Sequence, residues 1–385
     1  MGVTIDRSWC LETLTGLVRI NSINSTLRAG APGEREIAHY TAGRLAAVGL
    51  EVGRHEPVPG RVSVTGRLKG TGGGKSLMLN GHYDTVDVDG MAEPFSAEVR
   101  DGRLYGRGSY DMKGSVAACM TAAKALKDAG VALRGDLVVA AVADEEYGSI
   151  GTADIVAAVK VDGAIVTEPT DLGICLAHKG YLWIEVETVG RAAHGSKFDQ
   201  GIDANMMMGG LLSELAVLER ELRVRPAHPL VGPPSLHAAM LKGGAGLSTY
   251  ADRCSLKIER RTIPGETAAT VMAEIEGVIA RARTANPGLV GTAEAFLVRD
   301  PFEVPAGATV VRCLAEAATA TTGKVPRMMG DTPWMDSALL AAAGVETVVF
   351  GPSGSGAHAA VEWVDVESVF RCAEILASAA IRYCE

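Results

Sequence analysis

The chain has 385 residues, of which 47% are hydrophobic and 22% are charged, and its net charge is −9. A chain of this length exceeds what one hydrophobic core usually organises, so we expect two domains. This balance of apolar and charged residues is typical of a globular protein without a membrane span. The chain is acidic and has no Lys/Arg cluster, which excludes the basic surface of a nucleic-acid-binding protein.

The N-terminal segment and the cysteines both predict a cytoplasmic protein. Residues 1–9 lack the basic and then apolar regions of a signal peptide, and Asp6 stands where a myristoylation signal needs Ser or Thr. The seven cysteines are widely spread and contain no Cys-x-x-Cys pair. We therefore expect unpaired thiols in a reducing compartment and no membrane partner.

The first half of the chain alternates apolar runs with helical patterns. Strands are predicted at Leu77–Leu79, Leu137–Val142 and Gly163–Val166, and a helix is predicted at Met112–Asp128. This alternation predicts an α/β domain with a central, mostly parallel sheet.

The pattern changes between residues 181 and 300. Two helices and four strands are predicted there, in the order Leu182–Val189, Asp203–Leu222, Leu236–Leu241, Ser255–Arg261, Glu266–Ala285 and Thr292–Val298. The order β-α-β-β-α-β predicts a separate ferredoxin-like α+β insert.

The α/β pattern returns after this insert. Helices are predicted at Thr309–Thr321 and Ser337–Ala343, and a buried strand is predicted at Thr347–Phe350. We therefore expect one discontinuous α/β domain, residues 1–180 and 301–385, interrupted by an insert of residues 181–300.

Polar residues follow the ends of the predicted strands and open the predicted helix. These candidates are His82, Asp84, Asp111, Glu145, Glu146, Glu168 and His358. Ligands of open α/β sheets bind beyond the carboxyl ends of the strands, so we expect these side chains to meet. A single Asp or Glu at a strand end is more often a solvated cap, and the prediction depends on the joint pattern.

Imidazole nitrogens and carboxylate oxygens suit zinc, and the candidates outnumber the ligands that one catalytic ion needs. The sequence therefore predicts two divalent ions that share a bridging carboxylate and activate water for hydrolysis. Glu145 and Glu146 would divide the work, one binding metal and the other moving protons. The residues alone do not say which glutamate does which.

The chain resembles the dinuclear metallohydrolase family that includes acetylornithine deacetylase, succinyl-diaminopimelate desuccinylase, aminoacylase-1 and carboxypeptidase G. The resemblance runs from about residue 10 to residue 380, on the motifs GHYDTVD, GRGSYDMKGS, ADEEYGS, TEP, GRAAHGS, ERRTIPGE and GPSGSGAHAAVEWV. It implies a zinc-exopeptidase-like catalytic domain and an insert that serves as a lid and dimerisation domain. The protein is thus expected to form a homodimer through the lid.

The resemblance also implies an allocation of metal ligands. His82 and Glu168 would bind one ion, Glu146 and His358 would bind the other, and Asp111 would bridge them. Zinc is the expected metal, with cobalt or manganese as alternatives.

Four further residues receive roles from the resemblance. Asp84 would orient the first imidazole by accepting its second ring N–H, and Glu145 would be the general base. His194 would reach the partner subunit's active site and stabilise the oxyanion. Arg261 would hold the substrate carboxylate, whereas Arg260, on the opposite face of the strand, is expected to face solvent.

The expected function is hydrolysis of the amide bond of an N-acyl amino acid, with a small carboxylate-bearing amide as the substrate. A carboxypeptidase or dipeptidase of the same family is the alternative enzyme. A metal- or small-molecule-binding protein that kept the fold is the alternative outside enzymes. Ser248 stands where relatives often carry Asn, and Ala251 stands at the following proline position, so the acyl group and the amino acid stay open.

Overall fold

The structure, a computed structural model, describes residues 3–385. The helices in that range are α1 (Arg7–Arg19), α2 (Arg35–Val48), α3 (Gly114–Asp128), α4 (Ile150–Ala158), α5 (Ala204–Val224), α6 (Ala268–Ala285), α7 (Thr309–Thr322), α8 (Ser337–Ala342) and α9 (Val366–Tyr383). None of them combines the length and the apolar character needed to cross a lipid bilayer.

The first eight strands are β1 (Glu51–Val58), β2 (Arg61–Leu68), β3 (Leu77–His82), β4 (Val99–Arg100), β5 (Arg103–Tyr105), β6 (Leu137–Val142), β7 (Gly163–Val166) and β8 (Ile174–His178). The others are β9 (Gly180–Val189), β10 (Ser235–Gly243), β11 (Arg253–Thr262), β12 (Gly291–Arg299), β13 (Phe302–Glu303), β14 (Met328–Asp331), β15 (Glu346–Val349), β16 (Gly354–Ser355) and β17 (Trp363–Asp365).

The chain divides into two compact units. The second unit comprises Ala177–Glu303 and Gly330–Trp334, and the remaining described residues form the first unit.

The first unit is built on a mixed sheet whose strand order is β1-β2-β6-β3-β7-β15-β8. The four strands β6, β3, β7 and β15 run parallel to one another. The pairs β1–β2, β2–β6 and β15–β8 are antiparallel. Strands β3, β6 and β7 are buried along their whole length, as expected for parallel strands covered by helices on both faces. The predicted α/β class with a mostly parallel sheet is confirmed.

A second, small sheet in the first unit has the order β16-β17-β5-β4. Its pairing of β17 with β5 joins two segments that are far apart in sequence, with Trp363 opposite Tyr105. This pairing matters because the loop between β16 and β17 contains His358, and the turn after β5 contains Asp111.

The second unit is a four-stranded antiparallel sheet, in the order β10-β11-β9-β12, with α5 and α6 packed on one face. The chain order β9-α5-β10-β11-α6-β12 confirms the predicted ferredoxin-like arrangement. Strand β9 alternates between buried and half-buried residues, because Leu182, Ile184 and Val186 point into the core below the helices.

Candidate metal centre

The carboxyl ends of three neighbouring strands bring three of the predicted ligands and the predicted general base together. His82 is the last residue of β3, Glu145 and Glu146 follow β6, and Glu168 follows β7. Because β6, β3 and β7 are adjacent and parallel, their carboxyl ends lie at the same edge of the sheet.

Asp111 lies between two imidazoles. Its Oδ1 atom is 3.1 Å from His82 Nε2, and its Oδ2 atom is 3.3 Å from His358 Nε2. The two oxygens of one carboxylate therefore face two different rings, which is the arrangement that a carboxylate bridging two ions requires.

The remaining carboxylates surround these two rings. Glu168 Oε1 lies 3.6 Å and Glu145 Oε2 lies 3.8 Å from His82 Nε2. Glu146 Oε2 lies 3.1 Å from His358 Nε2. His82, Glu145 and Glu168 offer ligand atoms within 4.8 Å of one another, and His82, Asp111 and Glu146 form a second such group.

The carboxylates of the centre are crowded and largely shielded from water. Burial raises the pKa of Glu145 well above its usual range and raises the pKa of Glu168 to about 8. Burial and the charge of Asp111 also raise the pKa of Glu146. A carboxylate that has lost water and faces like charges binds a proton unless a cation neutralises it. Divalent cations that accept nitrogen and oxygen ligands fit this set of donors.

The pKa values of the two histidines are raised as well, by the surrounding carboxylates and against the effect of burial. Burial alone would lower the pKa of His82, but the hydrogen bond to Asp111 and the charges of Glu168 and Glu145 raise it well above its usual value. Hydrogen bonds to Asp111 and Glu146 raise the pKa of His358 to about 10. The centre thus has a strongly negative potential, which attracts cations.

Asp84 lies beside His82, but the acceptor differs from the predicted one. His82 Nδ1 is 3.0 Å from the backbone carbonyl oxygen of Asp84 and 3.6 Å from its carboxylate Oδ1. Because a carbonyl can only accept, the ring proton lies on Nδ1, which leaves Nε2 to bind a metal. The Asp84 carboxylate instead accepts from the backbone N–H groups of Glu145, at 3.1 Å, and Glu146, at 3.3 Å.

A buried network that the sequence analysis missed supports Asp84. Asn24 Nδ2 donates to Asp84 Oδ2 at 2.8 Å and to Asp144 Oδ1 at 3.0 Å. Arg61 Nη1 donates to Asn24 Oδ1 at 3.0 Å, and its other amine pairs with Asp144 and with Glu34. Asn24 lies in the loop between α1 and α2, and Arg61 begins the antiparallel strand β2, so a search of parallel strand ends does not find them.

Glu362, also missed, holds the turn that contains Asp111. Its buried carboxylate accepts from the backbone N–H groups of Gly108 at 3.0 Å, Tyr110 at 2.9 Å and Asp111 at 3.0 Å. Arg107 Nη1 donates to the same carboxylate at 2.7 Å. Glu362 stands four residues after His358, and that spacing within the last motif was the available signal.

Asp111 was expected to open the following helix, where an acid acts as a cap. Instead it lies in an irregular turn, Ser109–Lys113, with φ −114° and ψ 93°, and α3 begins at Gly114. The reason is that the Asp111 N–H is directed at Glu362, which turns the Asp111 carboxylate toward the two histidines.

Asp336 adds another missed carboxylate to the surroundings of the centre. It is buried and accepts a hydrogen bond from Thr152 at 2.5 Å. Burial raises its pKa to about 6. It precedes α8 and does not follow a strand, so a search of strand ends does not select it.

Arg260 and Arg261 lie on opposite faces of β11 in the second unit. The expectation that Arg260 faces solvent is wrong, because this side chain has no exposed surface and pairs with Glu266 and Glu274. The predicted alternation is correct, but Arg260 points toward the face covered by the helices. Arg261 is the accessible one, with 31% of its side chain exposed.

His194, also in the second unit, is exposed. The N–H of Ser196 donates to His194 Nδ1 at 3.3 Å, so the ring proton lies on Nε2. The loop is held by Gly195, whose N–H donates to the backbone oxygen of Ser248 at 2.8 Å. Ser248 thus contacts the loop that contains His194 through its backbone, and this contact does not depend on the identity of the side chain at position 248.

Comparisons with known proteins place the chain among metallohydrolases. The sequence profile described as peptidase family M20/M25/M40 matches residues 78–382. The chain is 30% identical to an acetylornithine deacetylase of Myxococcus xanthus over 97% of both chains. It is 28% identical to an N-formyl-4-amino-5-aminomethyl-2-methylpyrimidine deformylase of Bacillus subtilis, over 90% of this chain and 89% of the relative.

Solved structures share the fold. An aminopeptidase of Bacillus cereus superposes with a TM-score of 0.81 at 17% identity, covering 99% of this chain and all of the other. An M20 family metallo-carboxypeptidase of Sulfolobus solfataricus gives a TM-score of 0.78 at 20% identity, covering 97% of this chain and 99% of the other.

Proposed function

The chain belongs to the peptidase family M20/M25/M40 and is a metal-dependent hydrolase of carbon–nitrogen bonds, and from this premise we propose that it deacylates an N-acyl amino acid. The observation that carries the proposal is the position of Asp111, whose two carboxylate oxygens face His82 and His358. A centre built for one ion has no need of this arrangement.

The proposed centre holds two divalent ions, with zinc as the first choice and cobalt or manganese as alternatives. His82 and Glu168 would hold one ion, Glu146 and His358 the other, and Asp111 both. When bound, such ions polarise the amide carbonyl and make water a stronger acid.

Glu145 is a carboxylate of the centre that is not assigned to either metal ion. The hydrogen bond from its backbone N–H to Asp84 fixes its position beside the ligands. As the general base, Glu145 would take a proton from the attacking water and then give it to the nitrogen of the leaving amine.

The proposal gives two residues of the second unit a role in substrate binding. Arg261 would hold the substrate carboxylate, and its guanidinium suits paired hydrogen bonds to two oxygens. His194 would stabilise the oxyanion in the partner subunit's active site, because its Nε2 carries the proton and the ring is exposed.

Residues 181–300 are proposed as the lid and dimerisation domain of a homodimer. Strand β10 forms an edge of its sheet, and its Met240 and Leu241 side chains are 67% and 58% exposed. Met206 on α5 is 77% exposed. Apolar side chains on an open sheet edge favour pairing with a second copy.

The names of the relatives support deacylation. Acetylornithine deacetylase and the formylpyrimidine deformylase are both named for removing a small acyl group. A cytoplasmic location is part of the proposal, since none of the seven cysteines, all within the described residues, forms a disulfide bond.

Two measurements test this function. The purified protein, loaded with zinc, is assayed on N-acetyl amino acids and on dipeptides. We expect turnover of the N-acetyl compounds, whereas strict preference for dipeptides would establish the peptidase alternative.

The second measurement separates an enzyme from a binding protein. Glu145→Gln should lower kcat by about 10²- to 10⁴-fold while metal content is retained. Glu316→Gln, on the exposed side of α7, is the matched control and should leave kcat unchanged. Equal turnover by Glu145→Gln and the native protein would remove the proposed base.

A further inference from the structure

One face of the sheet in the second unit is not covered by α5 or α6. On β9 and β11 the core residues alternate with half-buried ones, and Tyr181, Trp183 and Arg261 share this second face. Cross-strand pairs confirm the grouping, because Tyr181 lies opposite Arg261 and Trp183 lies opposite Glu259.

Four aromatic rings form a continuous patch on this face. The ring centroids of Tyr181 and Trp183 are 5.4 Å apart, those of Trp183 and Phe296 are 6.0 Å apart, and those of Tyr181 and Trp334 are 6.5 Å apart. Phe296 lies at an irregularity of β12 and is 50% exposed. We call these four residues the aromatic patch.

Arg261 lies within the aromatic patch and is oriented by one carboxylate. Its guanidinium carbon is 4.8 Å from the centroid of the Tyr181 ring, and its Nε donates to Glu259 Oε1 at 2.7 Å. The other oxygen of Glu259 accepts from Trp183 Nε1 at 2.9 Å. Within residues 3–385, neither terminal amine of Arg261 has a hydrogen-bond acceptor.

This arrangement leaves one edge of the guanidinium open beside the rings. A carboxylate can accept two parallel hydrogen bonds from such an edge. A group attached to that carboxylate would then lie against Trp183 and Phe296, where an aromatic ring can stack at the usual separation of about 4.5–7 Å.

We propose that the aromatic patch selects the side chain of the substrate, and that the protein acts on N-acyl amino acids with an aromatic side chain. The inference rests on the proposed function for the reaction and on Arg261 for the carboxylate. In this proposal, Trp183 and Phe296 determine which amino acid side chain is accepted.

The charged groups in direct contact with the outer rings of the aromatic patch are cations. The Arg299 guanidinium carbon lies 5.2 Å from the Trp334 ring centroid, and Lys257 Nζ lies 5.2 Å from that of Phe296. Glu259 already accepts hydrogen bonds at both oxygens. Two further acids share this face beyond Lys257, because Glu185 lies opposite both Lys257 and Glu294. An ornithine ammonium placed against Phe296 or Trp334 would therefore meet Lys257 or Arg299, although the named relative acts on acetylornithine.

The test measures binding by titration calorimetry on zinc-loaded Glu145→Gln protein, so that no ligand is consumed. The ligands are N-acetyl-L-phenylalanine, N-acetyl-L-ornithine, N-acetyl-L-aspartate and N-acetylglycine. We expect the phenylalanine compound to bind at least about 10-fold more tightly than each of the others. Equal or tighter binding of the ornithine or aspartate compound would overturn the inference.

Variants test which rings determine the preference for an aromatic side chain. Phe296→Ala should reduce the ratio of the N-acetylglycine Kd to the N-acetylphenylalanine Kd by about 3- to 10-fold. Trp183→Ala should reduce it further, and Trp183→Phe, which keeps a ring, should restore most of it. Val189→Ala, at the far end of β9, is the matched control and should leave the ratio unchanged. A ratio that Phe296→Ala and Trp183→Ala leave unaltered would contradict the role of the aromatic patch.

The calorimetry also separates the two proposals. If the native protein hydrolyses no N-acyl amino acid, the proposed reaction fails, yet a binding preference for N-acetylphenylalanine still upholds the aromatic patch. If the native protein turns over N-acetylornithine faster than N-acetylphenylalanine, the reaction stands and the inference fails.

Discussion

The metal centre of the first unit and the open sheet face of the second unit are built in opposite ways. At the centre, the carboxylates are mostly buried, and buried partners such as Asp84 and Glu362 fix the backbone of their loops. On the open face, cations and aromatic rings are partly exposed, and a single carboxylate, Glu259, orients Arg261. The difference indicates that the groups expected to act on the amide bond are held by many buried contacts. The groups expected to recognise the substrate have fewer such contacts.

Loss of Asp111 should have the largest effect, since it lies between the two histidines. Asp111→Ala removes both oxygens of the proposed bridge, so we expect kcat to fall by more than about 100-fold and at least one ion to be lost. Metal analysis of the purified variant and steady-state kinetics check this prediction. Full metal content with normal kcat would show that the buried centre does not depend on its central carboxylate.

Glu362 tests whether the buried support matters as much as the ligands themselves. Glu362→Gln keeps the size of the side chain but removes the charge that pairs with Arg107, so Arg107 stays buried without its counter-charge. We expect metal affinity to fall by about 10- to 100-fold and unfolding to become easier by roughly 3–5 kcal/mol. Competition with a chelator and denaturant unfolding measure the two effects.

Glu367→Gln is the matched control for Glu362. Glu367 pairs with Arg7 on the surface, where both side chains are about half exposed. Because water screens such a pair, both measurements should stay close to the native values. If Glu362→Gln behaves like Glu367→Gln, the turn that contains Asp111 does not need its buried carboxylate.

The two adjacent arginines of β11 allow a buried group and an accessible group to be compared within the second unit. Arg260→Ala leaves Glu266 and Glu274 without their buried partner and should destabilise this unit by about 3–5 kcal/mol. Arg261→Ala should leave stability nearly unchanged but reduce kcat/KM for a carboxylate substrate by about 10- to 100-fold, mainly through KM. Thermal unfolding and kinetics on both variants distinguish a structural arginine from a binding one, and reversed results would exchange their roles.

The sequence was sufficient wherever a local pattern determines the structure. Strands β6 and β7 have the predicted bounds, because uninterrupted apolar runs in a parallel sheet are buried on both faces. The strand-end rule then selected residues that do meet, including His82 and Glu168. The roles of these residues came from the family resemblance and stay predictions.

The sequence was insufficient where a contact joins distant segments. Nothing local to Glu362 indicates that it binds the turn near Asp111, more than 250 positions earlier. The alternation of β11 placed Arg260 and Arg261 on opposite faces, but only the packing of the helices decides which face is buried. Long-range packing, which a single sequence does not display, therefore accounts for the missed residues and for the one arginine placed wrongly.

The most direct test of the whole account is a count of metal ions per chain. Metal-free protein is titrated with zinc, and bound metal is measured by plasma mass spectrometry after removal of free ions. The account predicts two ions per chain in the native protein and in Glu145→Gln. Saturation at one ion or none in the native protein would contradict the two-ion centre around Asp111.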